Sequence, residues 1–354
     1  MDQINGTPGL LELVPFPAFS VKDGLVDWAN GAARALLIAP GTLVDSLLAI
    51  GKDEYAAMES GCLSVTASIN GQRFGAFVSR IAGQDIFLLD QEEDEPVQQA
   101  LALASVSLRD PLCQILNSAE ALRQILGALT PEGAQKLNEL NRGAFQLLRQ
   151  VGNMSDAIPY AQETPYCRMM DAEEVIREIV EKAASLLEET GVRISYTGLR
   201  DGAIVPLNRD KLERALHNLL LNAAQSLDED GKIDVALTRT RDRLYLAVTD
   251  NGSGIPDEIF STLFYRYRRR PSLDSACSGI GLGLPLVRSV AVAHGGTVLV
   301  ERCQPKGTRV TMTLAIPKYN EALLRAPAIQ FDYAGEFDHA LVEFSQLLPP
   351  SRYE

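Results

Sequence analysis

The sequence predicts a multidomain α+β protein, and three observations support this fold class. The 354 residues are enough for two or three separate hydrophobic cores. A seven-residue apolar repeat occupies 97–156, and the apolar–polar alternation of a β-hairpin lies inside 171–317. We therefore expect a small α+β domain at 10–90, a two-helix hairpin at 97–156, an α/β sandwich at 171–317 and an acidic tail at 318–354.

Composition excludes several classes of protein. Hydrophobic residues make up 46% of the chain and charged residues 22%, as in globular proteins, and the net charge of −13 argues against nucleic-acid binding. No apolar run reaches the roughly 18 residues of a membrane span, and residues 1–8 lack the features of a signal peptide. The five cysteines include no CxxC pair, which indicates reduced thiols. We expect a cytoplasmic protein.

The range 10–90 begins with a candidate strand at 16–21, the turn residues Lys22-Asp23-Gly24 and a candidate helix at 31–37. Closing strands are expected at 74–80 and 85–89. The strand, the turn, Trp28-Ala29-Asn30 and the helix resemble the start of a PAS domain. This resemblance implies a sensor role.

The range 97–156 is predicted to form a hairpin of two helices. One apolar seam recurs every seven residues, at Leu101, Leu108, Ile115, Leu122 and Leu129. A second seam contains Ser105, Leu112, Ala119 and Leu126. Thr130-Pro131 interrupts the pattern, and Pro131 suits the first turn of the second helix. Two hairpins would complete a four-helix bundle, so we expect a homodimer; a hairpin packed within one chain is the alternative.

The range 171–317 is predicted to be an α/β sandwich with helices on one face of a mixed sheet. The predicted helices are 171–190, 209–227 and 282–294. The predicted strands are 192–196, a hairpin around Arg241-Asp242, and a last hairpin of 297–300 and 308–314. In the tail, Phe337, Leu341, Phe344, Leu347 and Leu348 are spaced as in an amphipathic helix, and we expect them to pack back on the body.

Two glycine-rich loops, Asp250-Asn251-Gly252-Ser253-Gly254 and Gly279-Ile280-Gly281-Leu282-Gly283, follow an Asn-bearing helix that contains Asn218 and Asn222. A carboxylate such as Asp250 can accept a hydrogen bond from the exocyclic amine of adenine. Glycines allow backbone N–H groups to approach a base or a phosphate closely. An Asn oxygen can complete the octahedral shell of Mg²⁺.

These three elements, in this order, resemble the ATP site shared by histidine kinases, gyrase, the Hsp90 chaperones and mismatch-repair ATPases. The resemblance to the histidine kinases covers about 171–317, and 98–317 with the hairpin. It implies that ATP and Mg²⁺ bind, with Asn222 as the Mg²⁺ ligand. Asn218 stands where the hydrolytic relatives carry a Glu, which disfavours a gyrase-type ATPase. The implied ATP-binding residues are Asn218, Asn222, Asp250, Gly252, Gly254, Gly279, Gly281, Gly283 and Thr308.

Near this site, Gln225 replaces a Lys or His that many kinases place near the phosphates. Between the two loops, 264–271 contains four arginines where the family has a mobile lid, and they are either phosphate clamps or a solvated basic loop. His217 and His294 are expected to be packing residues.

The hairpin departs from the kinase pattern. Histidine kinases carry Ser-His-Glu-Leu-Arg-Thr-Pro-Leu or a close variant, whereas this chain has Ser105-Val106-Ser107-Leu108-Arg109-Asp110-Pro111-Leu112. Val106 therefore occupies the phosphoacceptor position, and valine has no nucleophile. No catalytic residue is assigned with certainty.

Two hypotheses follow for the function. The chain is a sensor histidine kinase-like protein of two-component signalling that binds Mg-ATP and has lost its acceptor His. Alternatively, it is a non-catalytic pseudokinase scaffold that regulates a response regulator or a partner kinase in trans.

Overall fold

The computed structural model describes residues 11–12, 14, 16–81, 83–89, 95–127, 129–155, 167–228, 231–256, 263, 283–316 and 337–353. Its largest sheet has eleven strands, and a separate sheet has two. The strands are β1 (Ala18–Lys22), β2 (Leu25–Ala29), β3 (Leu48–Ile50), β4 (Gly61–Ile69), β5 (Gln72–Ile81), β6 (Gln84–Leu89), β7 (Arg168–Asp171), β8 (Arg193–Thr197), β9 (Ile204–Leu207), β10 (Lys232–Arg239), β11 (Arg243–Asp250), β12 (Val298–Arg302) and β13 (Thr308–Ala315).

The N-terminal strands form an antiparallel array in the order β2, β1, β6, β5, β4, with β3 paired to β4. The predicted turn joins β1 to β2, and both Asp23 and Gly24 have the positive φ of a tight hairpin. Asn30 connects β1 to the helix that begins at Gly31, because its side-chain oxygen accepts hydrogen bonds from the amides of Ala18 (3.0 Å) and Ala33 (2.9 Å). Strands β3 and β4 were not predicted. Short helices lie at Gly31–Ala35, Val44–Leu47 and Lys52–Ala57.

The hairpin consists of a first hairpin helix (Glu95–Leu126) and a second hairpin helix (Pro131–Ser155), in agreement with the predicted positions of both helices. The Thr130 hydroxyl accepts from the amide of Gly133 (3.2 Å), which caps the second helix just before Pro131. Leu112 and Ala119 are buried, but Leu108, Ile115 and Leu122 are 48%, 47% and 49% exposed. The second predicted seam therefore packs inside the chain up to Ala119, whereas its last member, Leu126, is exposed and the first seam faces outward at these three positions.

The second half of the large sheet has the order β12, β13, β11, β10, β8, with β8 parallel to β10. Alternate residues of β10 and β11 are buried, so the helices cover one face, as predicted. These are a first helix (Ala172–Leu187), the Asn helix (Arg209–Ser226) and the loop helix (Gly283–Ala293). The two-stranded sheet of β7 and β9 was not predicted.

The two halves of the large sheet are joined by direct pairing of β4 with β12, where Leu63 lies opposite Leu299. Gly61 lies at this junction with a φ of 110°, and a Cβ there would collide with the carbonyl oxygen of Val300. The Arg243 guanidinium also contacts the Glu54 carboxylate (2.8 Å) across the junction. No pattern in the sequence predicts that the two sheets are continuous.

The C-terminal segment, residues 337–353, contains a short helix (His339–Glu343) and a final 3₁₀ turn (Pro350–Tyr353). Ala340, Val342, Phe344 and Leu348 are buried in the same core as the helices of the second half, which confirms that this part of the tail packs back on the body. In the described residues, no helix has the length and apolar character needed to cross a membrane.

Candidate functional site

The Asn helix holds one side of the site. Its first turn is capped by Asn208, whose side-chain oxygen accepts from the amide of Lys211 (3.0 Å). Asn218 is 0% exposed, and its Nδ2 donates to the carbonyl oxygen of Arg214 (3.0 Å). Its Oδ1 is buried and has no hydrogen-bond partner among the described residues. Such an unsatisfied buried acceptor calls for an explanation, and a bound ligand is one.

Gly283 begins the loop helix and lies against both Asn side chains. A Cβ at this position would lie 3.1 Å from Asn218 Oδ1 and 3.4 Å from Asn222 Nδ2. Glycine therefore allows the end of the second loop to approach these amides. The oxygen of Asn218 therefore lies next to the N-terminus of the loop helix. The first N–H groups of a helix attract anions, so this N-terminus can bind phosphate.

Asp250 ends β11 on the other side of the site and is buried. Its Oδ1 accepts from the amides of Gly252 (2.9 Å) and Thr308 (3.2 Å), and its Oδ2 accepts no hydrogen bond from the described residues. The carboxylate is therefore fixed in orientation by two backbone donors, with one oxygen left to accept from a ligand.

The first glycine loop is packed too tightly for larger residues. A Cβ on Gly252 would collide with the carbonyl oxygen of Ser226, at the end of the Asn helix. Gly307 has a φ of 112°, and a Cβ there would collide with the carbonyl oxygen of Asp250. Gly254 has a φ of 76° and lies beside Gly307. These glycines bring the Asn helix, the Asp250 loop and Thr308 together.

The structure thus brings together Asn218, Asn222 and Gly283, and separately Asp250, Gly252, Gly254 and Thr308. Gly279, Gly281 and the arginines of 264–271 lie outside the described residues. The arrangement fits a magnesium nucleotide: an unpaired buried oxygen and a second Asn amide suit a hard cation, and the helix N-terminus suits phosphate.

Gln225 replaces a Lys or His that many kinases place near the phosphates, and the structure adds a contact of Gln225 that the sequence did not suggest. Its Nε2 donates to Oε1 of Gln346 (2.7 Å), in the C-terminal segment. These residues are 121 positions apart, and no local pattern connects them.

His217 and His294 are packing residues, as expected. His217 is buried with its ring edge against Phe344 (5.2 Å between centroids), and burial lowers its pKa. His294 is also buried; its Nε2 accepts from the amide of Asn208 (3.1 Å) and its Nδ1 faces the carbonyl oxygen of Val290 (2.8 Å), as suits a neutral ring. Burial lowers the pKa of His294 as well.

Val106 lies on the first hairpin helix and is 62% exposed. The neighbouring Ser107 hydroxyl donates to the carbonyl oxygen of Leu103 (2.8 Å), one turn earlier. An exposed valine at this position offers an apolar surface and no group that can be phosphorylated.

Comparison with known proteins gives a consistent result. Residues 207–318 match the family of histidine kinase-, DNA gyrase B- and HSP90-like ATPases. The sensor histidine kinase RppB of Synechocystis is 30% identical over 226 residues, which cover 62% of this chain and 49% of RppB. The sensor histidine kinase CusS of Escherichia coli is 30% identical over 238 residues, which cover 64% of this chain and 48% of CusS.

Among solved structures, full-length ShkA in complex with AMPPNP has a TM-score of 0.51 and 22% sequence identity, covering 62% of this chain and 46% of ShkA. This likeness shows a shared fold. The chain spans about half the length of the two curated relatives, at 49% and 48%.

Proposed function

We propose that this chain, which belongs to the histidine kinase family and has its ATP-binding domain, binds Mg-ATP and acts in two-component signal transduction without phosphorylating a histidine of its own hairpin. The observation that supports nucleotide binding best is the buried, unpaired Oδ1 of Asn218 beside Asn222 and Gly283. The matching range 207–318 includes all three residues.

Each residue has a defined task in this proposal. Asp250 accepts from the exocyclic amine of adenine, held in place by the amides of Gly252 and Thr308. Asn222 holds Mg²⁺, Asn218 lies near the phosphates with its oxygen available to the same cation, and Gly283 with Gly279 and Gly281 admits the phosphates to the start of the loop helix. Bound Mg-ATP supplies a transferable phosphoryl group and a charge that orders the site.

Loss of histidine phosphorylation is supported by the positions of the three histidines. His217 and His294 are buried in the ATP-binding domain, and His339 faces Glu213 (3.7 Å) in the C-terminal segment. None lies on the hairpin, where Val106 occupies the acceptor position. A phosphoramidate needs an accessible imidazole nitrogen, which this hairpin lacks.

These features favour a second form of the proposal. The chain then works as a non-catalytic pseudokinase scaffold, a homodimer through its hairpin, whose nucleotide state is recognised by a response regulator or a partner kinase in trans. Exposed apolar residues on the first hairpin helix, Val106 among them, support such a role.

Calorimetric titration of the full chain with Mg-ATP tests nucleotide binding. Asp250→Asn keeps the shape of the side chain but replaces one acceptor oxygen by a donor, so we expect at least about a tenfold weaker affinity. Asp234→Asn is the matched control, since Asp234 is an exposed residue on the adjacent strand. No heat of binding at millimolar Mg-ATP, or equal affinities for the two variants, would rule the proposed site out.

A further inference from the structure

The C-terminal segment lies between the hairpin and the ATP-binding domain and contacts both. On the hairpin side, Asn141 Nδ2 donates to the carbonyl oxygen of Tyr353 (2.9 Å), and Gln146 Nε2 donates to that of Ser345 (3.1 Å). The Phe145 ring packs on Phe337 and Tyr353, at 5.3 and 5.0 Å between centroids. The C-terminal segment therefore contacts the second hairpin helix along much of the segment's length, from Phe337 to Tyr353.

On the other side the segment contacts two helices of the ATP-binding domain. Phe344 packs on His217, and Gln346 accepts from Gln225, both on the Asn helix. Asp338 forms an ion pair with Lys182 (2.8 Å) on the preceding helix. The same short segment thus contacts both the hairpin and the helix that carries the proposed Mg²⁺ ligand.

Glu343 is the charged group at the centre of this arrangement. It is fully buried, and its carboxylate contacts Arg149 of the hairpin (2.9 Å) and Arg214 of the Asn helix (3.6 Å). Both arginines are buried too. One carboxylate therefore compensates two buried cations, one from each side of the junction.

Burial of this charged triad weakens the docking of the C-terminal segment. Removing three charged groups from water costs free energy that offsets much of the gain from the apolar contacts. If the carboxylate is lost, both buried arginines lose an anionic partner, which favours release of the segment. An apolar segment of the same size would be held more permanently, so the triad indicates a contact that can open.

We infer that the C-terminal segment is a removable bolt: while docked, it fixes the ATP-binding domain against the second hairpin helix, and the domain turns relative to the hairpin only after the segment leaves. The bolt is an autoinhibitory contact for any phosphoryl transfer or partner recognition that needs this movement. Its regulatory meaning rests on the proposed nucleotide function, but its docking does not.

The bolt also reaches the nucleotide site through two residues of the Asn helix. The carbonyl oxygen of Arg214, which pairs with Glu343, accepts from Asn218 Nδ2. Gln225, which pairs with Gln346, follows Asn222 by less than one helical turn. Docking therefore constrains both ends of the helix stretch that contains the two Asn residues.

Hydrogen–deuterium exchange and small-angle X-ray scattering on the full chain without nucleotide test the bolt. Glu343→Gln should accelerate exchange in peptides covering 340–348 by at least about tenfold. It should also increase the maximum dimension of the particle, with exchange in β10 and β11 unchanged. Glu189→Gln is the matched control, because Glu189 forms an exposed ion pair with Arg352 of the same segment and should leave both measurements as in the unmodified chain.

Asn141→Ala is a milder second variant, which removes one buried hydrogen bond to the end of the segment and decides the matter if Glu343→Gln does not fold. Unchanged protection of 340–348 in the folded variants would overturn the inference. So would exchange that accelerates equally throughout the ATP-binding domain, or release of the segment with no change in dimension. Titration of the same samples with Mg-ATP keeps a failure of nucleotide binding distinct from a failure of the bolt.

Discussion

At the scale of single residues, the clearest feature is a polar atom that the fold leaves unsatisfied. Asn218 was predicted from its place one helical turn before Asn222, and helical periodicity puts both on one face. The sequence could not show that the Oδ1 of Asn218 is buried without a partner, since that depends on what packs around it. The proposed role of Asp250, by contrast, rests on its place at the start of a glycine loop that resembles the one in the histidine kinases.

The unpaired oxygen gives a prediction about stability and binding. Asn218→Leu removes a buried polar group, so we expect the nucleotide-free chain to gain about 1 kcal/mol in free energy of unfolding while Mg-ATP binding is lost. Asn222→Leu is the comparison: it should also lose Mg-ATP binding but gain no stability, because Asn222 is not fully buried. Denaturant titration and calorimetry measure the two quantities. A less stable Asn218→Leu chain would contradict the assignment of the orphaned oxygen.

Val106 gives a second prediction at this scale. With γ-labelled ATP the unmodified chain should acquire no acid-labile phosphate, because the hairpin has no imidazole nitrogen to accept it. Val106→His with Ser107→Glu should label if the ATP-binding domain reaches the hairpin, and Asp250→Asn added to this variant should abolish the label. Acid-labile phosphate on the unmodified chain would show that one of the three histidines is the acceptor and would refute the pseudokinase proposal.

At the scale of elements, the hairpin shows what a seven-residue apolar repeat can and cannot predict. The seven-residue spacing predicted both helices and the break at Pro131, because periodicity and proline geometry act locally. Periodicity did not distinguish the seam that packs within the chain, with Leu112 and Ala119, from the outward seam. That division depends on where the second hairpin helix and the C-terminal segment lie.

The outward seam predicts dimerisation. Ile115→Glu with Leu122→Glu should convert a dimer into a monomer, since each substitution would bury an uncompensated charge in a dimer interface. Gln114→Glu, a neighbouring exposed position off the seam, should leave the dimer intact. Light scattering coupled to size-exclusion chromatography gives the mass. If the unmodified chain is monomeric at a protein concentration of roughly tens of micromolar, the dimer is refuted, since a stable interface of this kind would hold at that concentration.

At the scale of the whole molecule, the N-terminal strands and the ATP-binding domain share one eleven-stranded sheet. Strand β4 of one pairs with β12 of the other, and the Arg243–Glu54 ion pair and the Arg288 guanidinium over the Phe77 ring (4.4 Å) support the junction. The N-terminal strands are therefore hydrogen-bonded, through β12, to β13, which begins at Thr308 beside Asp250.

Gly61 tests this junction. Gly61→Ala should separate β4 from β12, because its φ of 110° disfavours a side chain and the new Cβ would meet the carbonyl oxygen of Val300. We expect a loss of about 2–4 kcal/mol and faster exchange in β12. Gly71→Ala is the matched control: its φ is 80°, but nothing lies within 4 Å of the added Cβ, so a cost of about 1 kcal/mol and no change in β12 are expected. Equal effects at the two sites would argue against a tight junction.

The sequence by itself determined the long helices and most strands of the sandwich, because capping and periodicity act over a few residues, and its resemblance to the histidine kinases proposed the members of the candidate nucleotide site. The tertiary structure alone decided the pairing of β4 with β12, since strand edges pair through backbone groups that every residue carries. It also decided the place of Glu343 between Arg149 and Arg214. A buried carboxylate is recognisable only by the cations that compensate it, and both of these are distant in sequence: Arg149 lies 194 residues before Glu343, and Arg214 lies on a different helix again.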